Sequence, residues 1–236
     1  MNFSLSMFKL SVMALFYANL YNPINILLNK NKIFKSYPLE RKNYITKNLI
    51  KTASMCFIFY NFIKTIYPDN FYGFLTNDLI RDYGAIYVGN DIAGLFMVKK
   101  LPKSTKFHHL MSLCLYSTVS YLDIEKNDIV KMIAIYTIFS FIPYSVNCFL
   151  ALRFFVKIET NCKKQLLINK LVNVNRICAK YTYLITCMCN WIIHLRYFIK
   201  KILYYEFNIY HLSYMLLLIP IINDDIVLLR WLNKKL

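Results

Sequence analysis

Apolar residues in this chain come in long runs separated by short charged segments. A bilayer-spanning helix needs about 20 mostly apolar residues. Seven runs approach that length: 10–28, 52–66, 83–98, 107–122, 129–152, 181–199 and 209–229. The second, third and fourth are short and are expected to extend by a turn into flanking residues. The first follows Lys9, as a signal sequence would, but it runs past Pro23 and lacks a small-x-small cleavage site. It is read as a retained span. The fold class this pattern predicts is all-α transmembrane, a polytopic bundle of about seven helices.

The charged segments alternate in sign. Lys30, Lys32, Lys35, Arg41, Lys42, Lys47 and Lys51 separate the first two spans, and Asp69, Asp78 and Asp82 against Arg81 follow the second. Lys99, Lys100, Lys103 and Lys106 come next, then Asp123, Glu125 and Asp128 against Lys126 and Lys131. After the fifth span lie Arg153, Lys157, Lys163, Lys164, Lys170, Arg176 and Lys180, and the tail carries Arg230, Lys234 and Lys235. Basic segments stay cytosolic. The pattern therefore predicts a lumenal or outside N-terminus and a cytosolic C-terminus. Lys200 and Lys201 fit poorly, because they fall on the acidic side. Tyr21, Tyr67, Tyr83, Tyr121, Tyr204 and Tyr205 stand near span ends, where an aromatic belt is expected.

Composition agrees with this layout. Hydrophobic residues make up 58% of the 236, above the roughly 45–50% of soluble domains. The net charge of +17 is read as basic loops beside anionic lipid rather than as a nucleic-acid surface, and no nucleic-acid partner is expected. The bias toward Asn, Lys, Ile, Tyr and Phe suggests an AT-rich genome, and in a virus or intracellular parasite the membrane would be the host's. The seven cysteines form no CxxC pair and read as packing residues. Phosphate-loop, dinucleotide, nucleophile-elbow and zinc-protease motifs are all missing.

Polar and ionisable residues inside spans are costly and are functional candidates by default. Asp91 lies in the third span, His108 and His109 open the fourth, Asn147 lies in the fifth and Arg153 closes it, Asn190, His194 and Arg196 lie in the sixth, and His211, Asn223, Asp224 and Asp225 in the seventh. Neighbours on a helix point about 100° apart, so at least one histidine of the pair should face the bundle. A neutral imidazole there is suited to general-base or nucleophilic acyl chemistry, with Asp91 as its orienting group. Lys106 and Arg153 are candidate contacts for an acyl donor or a lipid headgroup. The spacing of Asp91, His108 and His109 specifies no metal geometry, so no metal and no bound cofactor are expected; acyl-CoA would enter only as a substrate. His194 reads as an interhelical hydrogen bond. For Asp224 and Asp225 two readings stand: interior polar contacts, or residues flanking a helix break after Pro220.

A span with a central Asp, a short Lys-bearing loop and then His-His resembles the TLC domain. That family includes translocation-associated membrane proteins, ceramide synthases and shorter TLC-domain-containing proteins. Residues 84–91, ending in Asp91, and 106–112, containing His108 and His109, carry most of the likeness. Residues 139–153, with Pro143, Asn147 and Arg153, add to it, and Asn223 and Trp231 loosely echo the family's last span. The resemblance implies a six-helix barrel around a lipid-accessible cavity at 40–232, preceded by one helix and a basic loop at 1–39 and followed by a basic cytosolic tail at 233–236. The acidic motif that ceramide synthases carry after His-His is missing after His109. The chain therefore looks like the short members linked to phospholipid composition. The resemblance implies lipid sensing, binding or modification in an endomembrane such as the ER, with membrane lipids and other membrane proteins as partners. The alternatives are a non-enzymatic cargo or translocation factor and a seven-helix receptor or transporter.

Overall fold

The computed structural model describes residues 3–66, 76–124, 126–156 and 163–233. Those residues fold into helices joined by short turns and contain no strand. The helices are α1 (Phe3–Leu28), α2 (Lys32–Lys35), α3 (Leu39–Ile66), α4 (Asn77–Met97), α5 (Lys103–Tyr121), α6 (Asp128–Phe141), α7 (Tyr144–Leu152), α8 (Lys163–Leu203) and α9 (Ile209–Leu232). A 3-10 turn, Arg153–Phe155, follows α7.

Each of the seven apolar runs falls within this helical framework. Three helices are long and apolar enough to cross a bilayer: Phe3–Leu28, Asp128–Phe155 and Ile209–Leu232. In the first and last of these, only 17% and 22% of the apolar window is buried. Most of their greasy surface points outward, where water would disfavour it. The run at 129–152 is not one straight helix. Pro143 cannot donate to the carbonyl four residues back, and α6 ends at Phe141 before α7 resumes at Tyr144.

The helix neighbours close a ring. α3 packs on α7, α7 on α8, α8 on α9, α9 on α5, α5 on α4, and α4 returns to α3. α1 lies outside it, against α4. Gly89 makes that contact close, because a Cβ there would stand 2.9 Å from the Met13 Cβ and 3.2 Å from the Ala14 backbone nitrogen. One end of the ring is filled by Ile80, Leu115, Val119, Ile133, Leu218 and Ile221.

Several loop expectations need correction. α3 begins at Leu39, so Arg41, Lys42, Lys47 and Lys51 are helical rather than loop residues. Lys47 and Lys51 are 5% and 7% exposed, and their ammonium groups have partners inside the ring. Tyr21 is 1% exposed and packs with Tyr17 and Ile50, so it belongs to the interior rather than to an aromatic belt. Tyr121, Tyr204 and Tyr205 are exposed as expected, whereas Tyr67 lies outside the described residues, as do Lys234 and Lys235. Among the described residues, six cysteines are free thiols.

Candidate functional site

The ring encloses a chamber of about 270 Å³, lined from every one of its helices. Lys47 and Lys51 come from α3, Tyr87 from α4, His108 and His109 from α5, Ser140 from α6, Asn147 from α7, Tyr183 from α8, and Asp224 and Asp225 from α9. Leu101, Pro102, Arg153 and Trp231 line it near the basic helix ends. A smaller apolar recess of about 30 Å³ meets the chamber at Tyr87, His108 and Ser140. Ile80, Val88, Leu115, Val119 and Ile133 form its wall. His108 therefore stands between the chamber and the recess.

Both histidines of the pair point inward. Their rings are 5.7 Å apart and nearly perpendicular, which suits adjacent positions on one helix. Each faces its own carboxylate. His109 Nδ1 lies 3.1 Å from Asp91 Oδ2, and His108 Nδ1 lies 3.5 Å from Asp224 Oδ2. Neither contact has the geometry of a hydrogen bond, and Asp91 Oδ2 and both Nδ1 atoms are buried without one.

The two imidazoles differ at their far nitrogens. His109 Nε2 is 2.8 Å from Lys47 Nζ. An ammonium there can only donate, so the partner assigns the His109 proton to Nδ1, facing Asp91. His109 is thus enclosed by the protein, with Nε2 on Lys47 and Nδ1 facing Asp91, and the residue is 3% exposed. His108 Nε2 has no hydrogen bond among the described residues, and the side chain lines both cavities. Of the two, His108 is the imidazole available to a ligand.

Lysines complete the arrangement. Lys51 Nζ donates to Asp91 Oδ1 at 2.5 Å and lies 4.5 Å from the centroid of Tyr87. Asp91 is fully buried, so this partner is what makes an ionised carboxylate tolerable there. Gly94 gives Lys47 its path: a Cβ on Gly94 would stand 2.7 Å from Lys47 Cε. On α9, Asp225 accepts from Tyr183 at 2.6 Å and Tyr136 at 2.8 Å, and Asp224 accepts from Thr105 at 3.3 Å. α9 runs unbroken through Pro220. Of the two readings for this acidic pair, interior contacts is therefore the one realised.

The expected site residues are thus placed unequally. Asp91, His108 and His109 come together, and Arg153 lines the same chamber. Lys106 is exposed on α5 and does not line it. Lys47, Lys51 and Asp224 are brought in by the fold. His194 bridges α8 to α9 as expected, with Nε2 2.8 Å from the Tyr214 hydroxyl. His211 is a cap: its Nδ1 accepts from the Asn208 backbone N–H, which closes a capping box at the start of α9.

One ligand atom from each of Asp91, His108 and His109 lies within 4.8 Å of the others, close enough to share a metal ion. The charges around them oppose one. Lys51 touches the same carboxylate and Lys47 the same imidazole, so a divalent cation would meet two ammonium groups in a low-dielectric interior. An imidazole nitrogen without a hydrogen bond among the described residues, such as His108 Nε2, can take or give a proton. No family model, curated protein or solved structure matches this chain.

Proposed function

We propose that this chain is a seven-span membrane protein that binds and modifies membrane lipid, with His108 as its reacting group. The observation that carries the proposal is His108, an imidazole with one nitrogen toward the half-buried Asp224 carboxylate and the other without a hydrogen bond among the described residues, in the wall of the chamber. An amphiphile suits the chamber, which mixes charged groups such as Lys51 and Asp224 with apolar ones such as Leu101, Val227 and Leu228. The TLC-like order of Asp91, His108-His109, Pro143-to-Arg153 and the last span supports the same reading, as does a ring of six elements with one helix outside. The alternating loop charges favour a cytosolic C-terminus, in an endomembrane such as the ER.

The reaction class that fits is acyl transfer. His108 Nε2 takes the proton of an acceptor hydroxyl or amine as that group attacks the acyl carbonyl. The acyl–oxygen or acyl–sulfur bond of the donor then breaks, and the proton passes to the leaving group. Asp224 steadies the imidazolium formed between those steps. His109, held by Lys47 and Asp91, positions the helix and the charge around it.

Lipid profiling of cells expressing the protein tests this. Wild type is expected to change the acyl-chain distribution of one lipid class, and His108→Gln to abolish the change at equal expression. Indistinguishable profiles for wild type, His108→Gln and empty cells would remove the catalytic reading.

A further inference from the structure

The turn after α7 holds Arg153 among three aromatic rings. Its guanidinium carbon lies 4.1 Å from the centroid of Trp231, 4.7 Å from that of Phe154 and 5.7 Å from that of Tyr44. Ring contacts of this kind fix a guanidinium through its faces and leave its in-plane N–H donors free. Among the described residues those donors make no hydrogen bond or ion pair, and Nε is buried without a partner.

The nearby carboxylates are committed elsewhere. Asp91 is held by Lys51, Asp225 by two tyrosine hydroxyls, and Asp224 by Thr105 and its contact with His108. A half-buried cation with idle donors is costly. An oxygen-rich anion that takes two of those donors side by side removes the cost. The chamber beside Arg153, at about 270 Å³, has room for more than a lone ion.

We propose that Arg153, held by Trp231 and Tyr44 at the edge of the chamber, is a phosphate-binding subsite for a phosphoester ligand. The phosphoester belongs either to a lipid headgroup or to a water-soluble molecule. Assigning this ligand's remaining part to His108 rests on the function proposed above; the phosphate subsite itself does not.

Trp231 is the natural reporter, being one of two tryptophans. The full-length Trp191→Phe protein, in a phosphate-free maltoside detergent, is titrated with dihexanoyl phosphatidic acid, with glycerol 3-phosphate and with dihexanoylglycerol. A saturable change in Trp231 emission is expected with at least one phosphate probe and none with dihexanoylglycerol. Response to the lipid alone identifies a headgroup site; response to both probes identifies a site that accepts soluble phosphoesters. Arg153→Gln and Arg153→Lys are each expected to weaken binding about tenfold or more, the lysine variant because it keeps the charge without the fork. Lys106→Gln, outside the chamber, is expected to bind as wild type does. Equal responses to phosphatidic acid and dihexanoylglycerol, no response to either phosphate probe, or unweakened binding by Arg153→Lys would overturn the proposal. If binding fails while His108→Gln still abolishes the lipid change, only the phosphate subsite falls. If binding holds while that variant changes nothing in cells, only the catalytic reading falls.

Discussion

The two adjacent histidines show how a fold separates chemically identical residues. His109 is closed off by Lys47 and Asp91, while His108 keeps one nitrogen toward the chamber. Diethyl pyrocarbonate should therefore carbethoxylate His108 well before His109, as peptide mass spectrometry would read; equal rates would contradict the assignment. The Lys51–Asp91 pair makes a second prediction. Removing one partner of a buried ion pair costs roughly 3–5 kcal/mol, whereas replacing both with apolar residues is often neutral. Lys51→Met should lower thermal stability in detergent sharply, and Lys51→Met/Asp91→Leu should recover most of the loss. Asp91, His108 and His109 were legible in the sequence because each interrupts an apolar run. Lys47 and Lys51 were not, because they stand in a series of seven basic residues that reads as a loop. Only the early start of α3 turns them inward. Asp224 was legible as a polar residue in a span, but its partner His108 lies 116 positions away, and no local pattern links the two.

Among the elements, the clearest difference between pattern and structure is α8. Its 41 residues rise about 60 Å at 1.5 Å each, roughly twice the hydrocarbon thickness. Hydropathy isolates only 181–199, because Lys170, Asn173, Asn175, Arg176 and Lys180 dilute the first half. Yet that half buries Val172 and Ala179 against Phe149 and Leu232, and these contacts extend the helix. α4 depends on small residues. Gly89→Ala would push against the α1 backbone, and overpacking of this kind costs about 1–3 kcal/mol. Its expected signature is a lower melting temperature with His108 reactivity unchanged. Gly94→Ala should act differently, moving Lys47 off His109 and raising the rate at which His109 is modified.

For the whole molecule, the open question of the sequence was Lys200 and Lys201 on the acidic side. Lys201 is neutralised there, by Glu206 at 2.5 Å and Asp128 at 3.1 Å. The hydrogen bond to Glu206, with that to Asp128, pushes its ammonium up to about 12. Its contribution is complete below the ordinary lysine range of about 10.4 and is lost only as pH rises through the folded value. Across neutral pH the cluster is therefore constant, and salt rather than pH should weaken it. Lys9 likewise pairs with Asp82 at 2.6 Å, which joins α1 to the acidic end of α4. The proposed orientation predicts that a C-terminal tag on sealed microsomes is cut by added protease while an N-terminal tag is protected. Protection of the C-terminal tag would reverse the topology and place the chamber's basic end in the lumen.

The proposed activity rests on His108 acting on lipid within the chamber. Its most direct test is purified full-length protein in liposomes of defined phospholipid supplied with an acyl donor, the products followed by mass spectrometry. Wild type should change the acyl composition over time and His108→Gln should not, while Lys106→Gln should match wild type because Lys106 lies outside the chamber. A change in composition that persists undiminished in His108→Gln would contradict it.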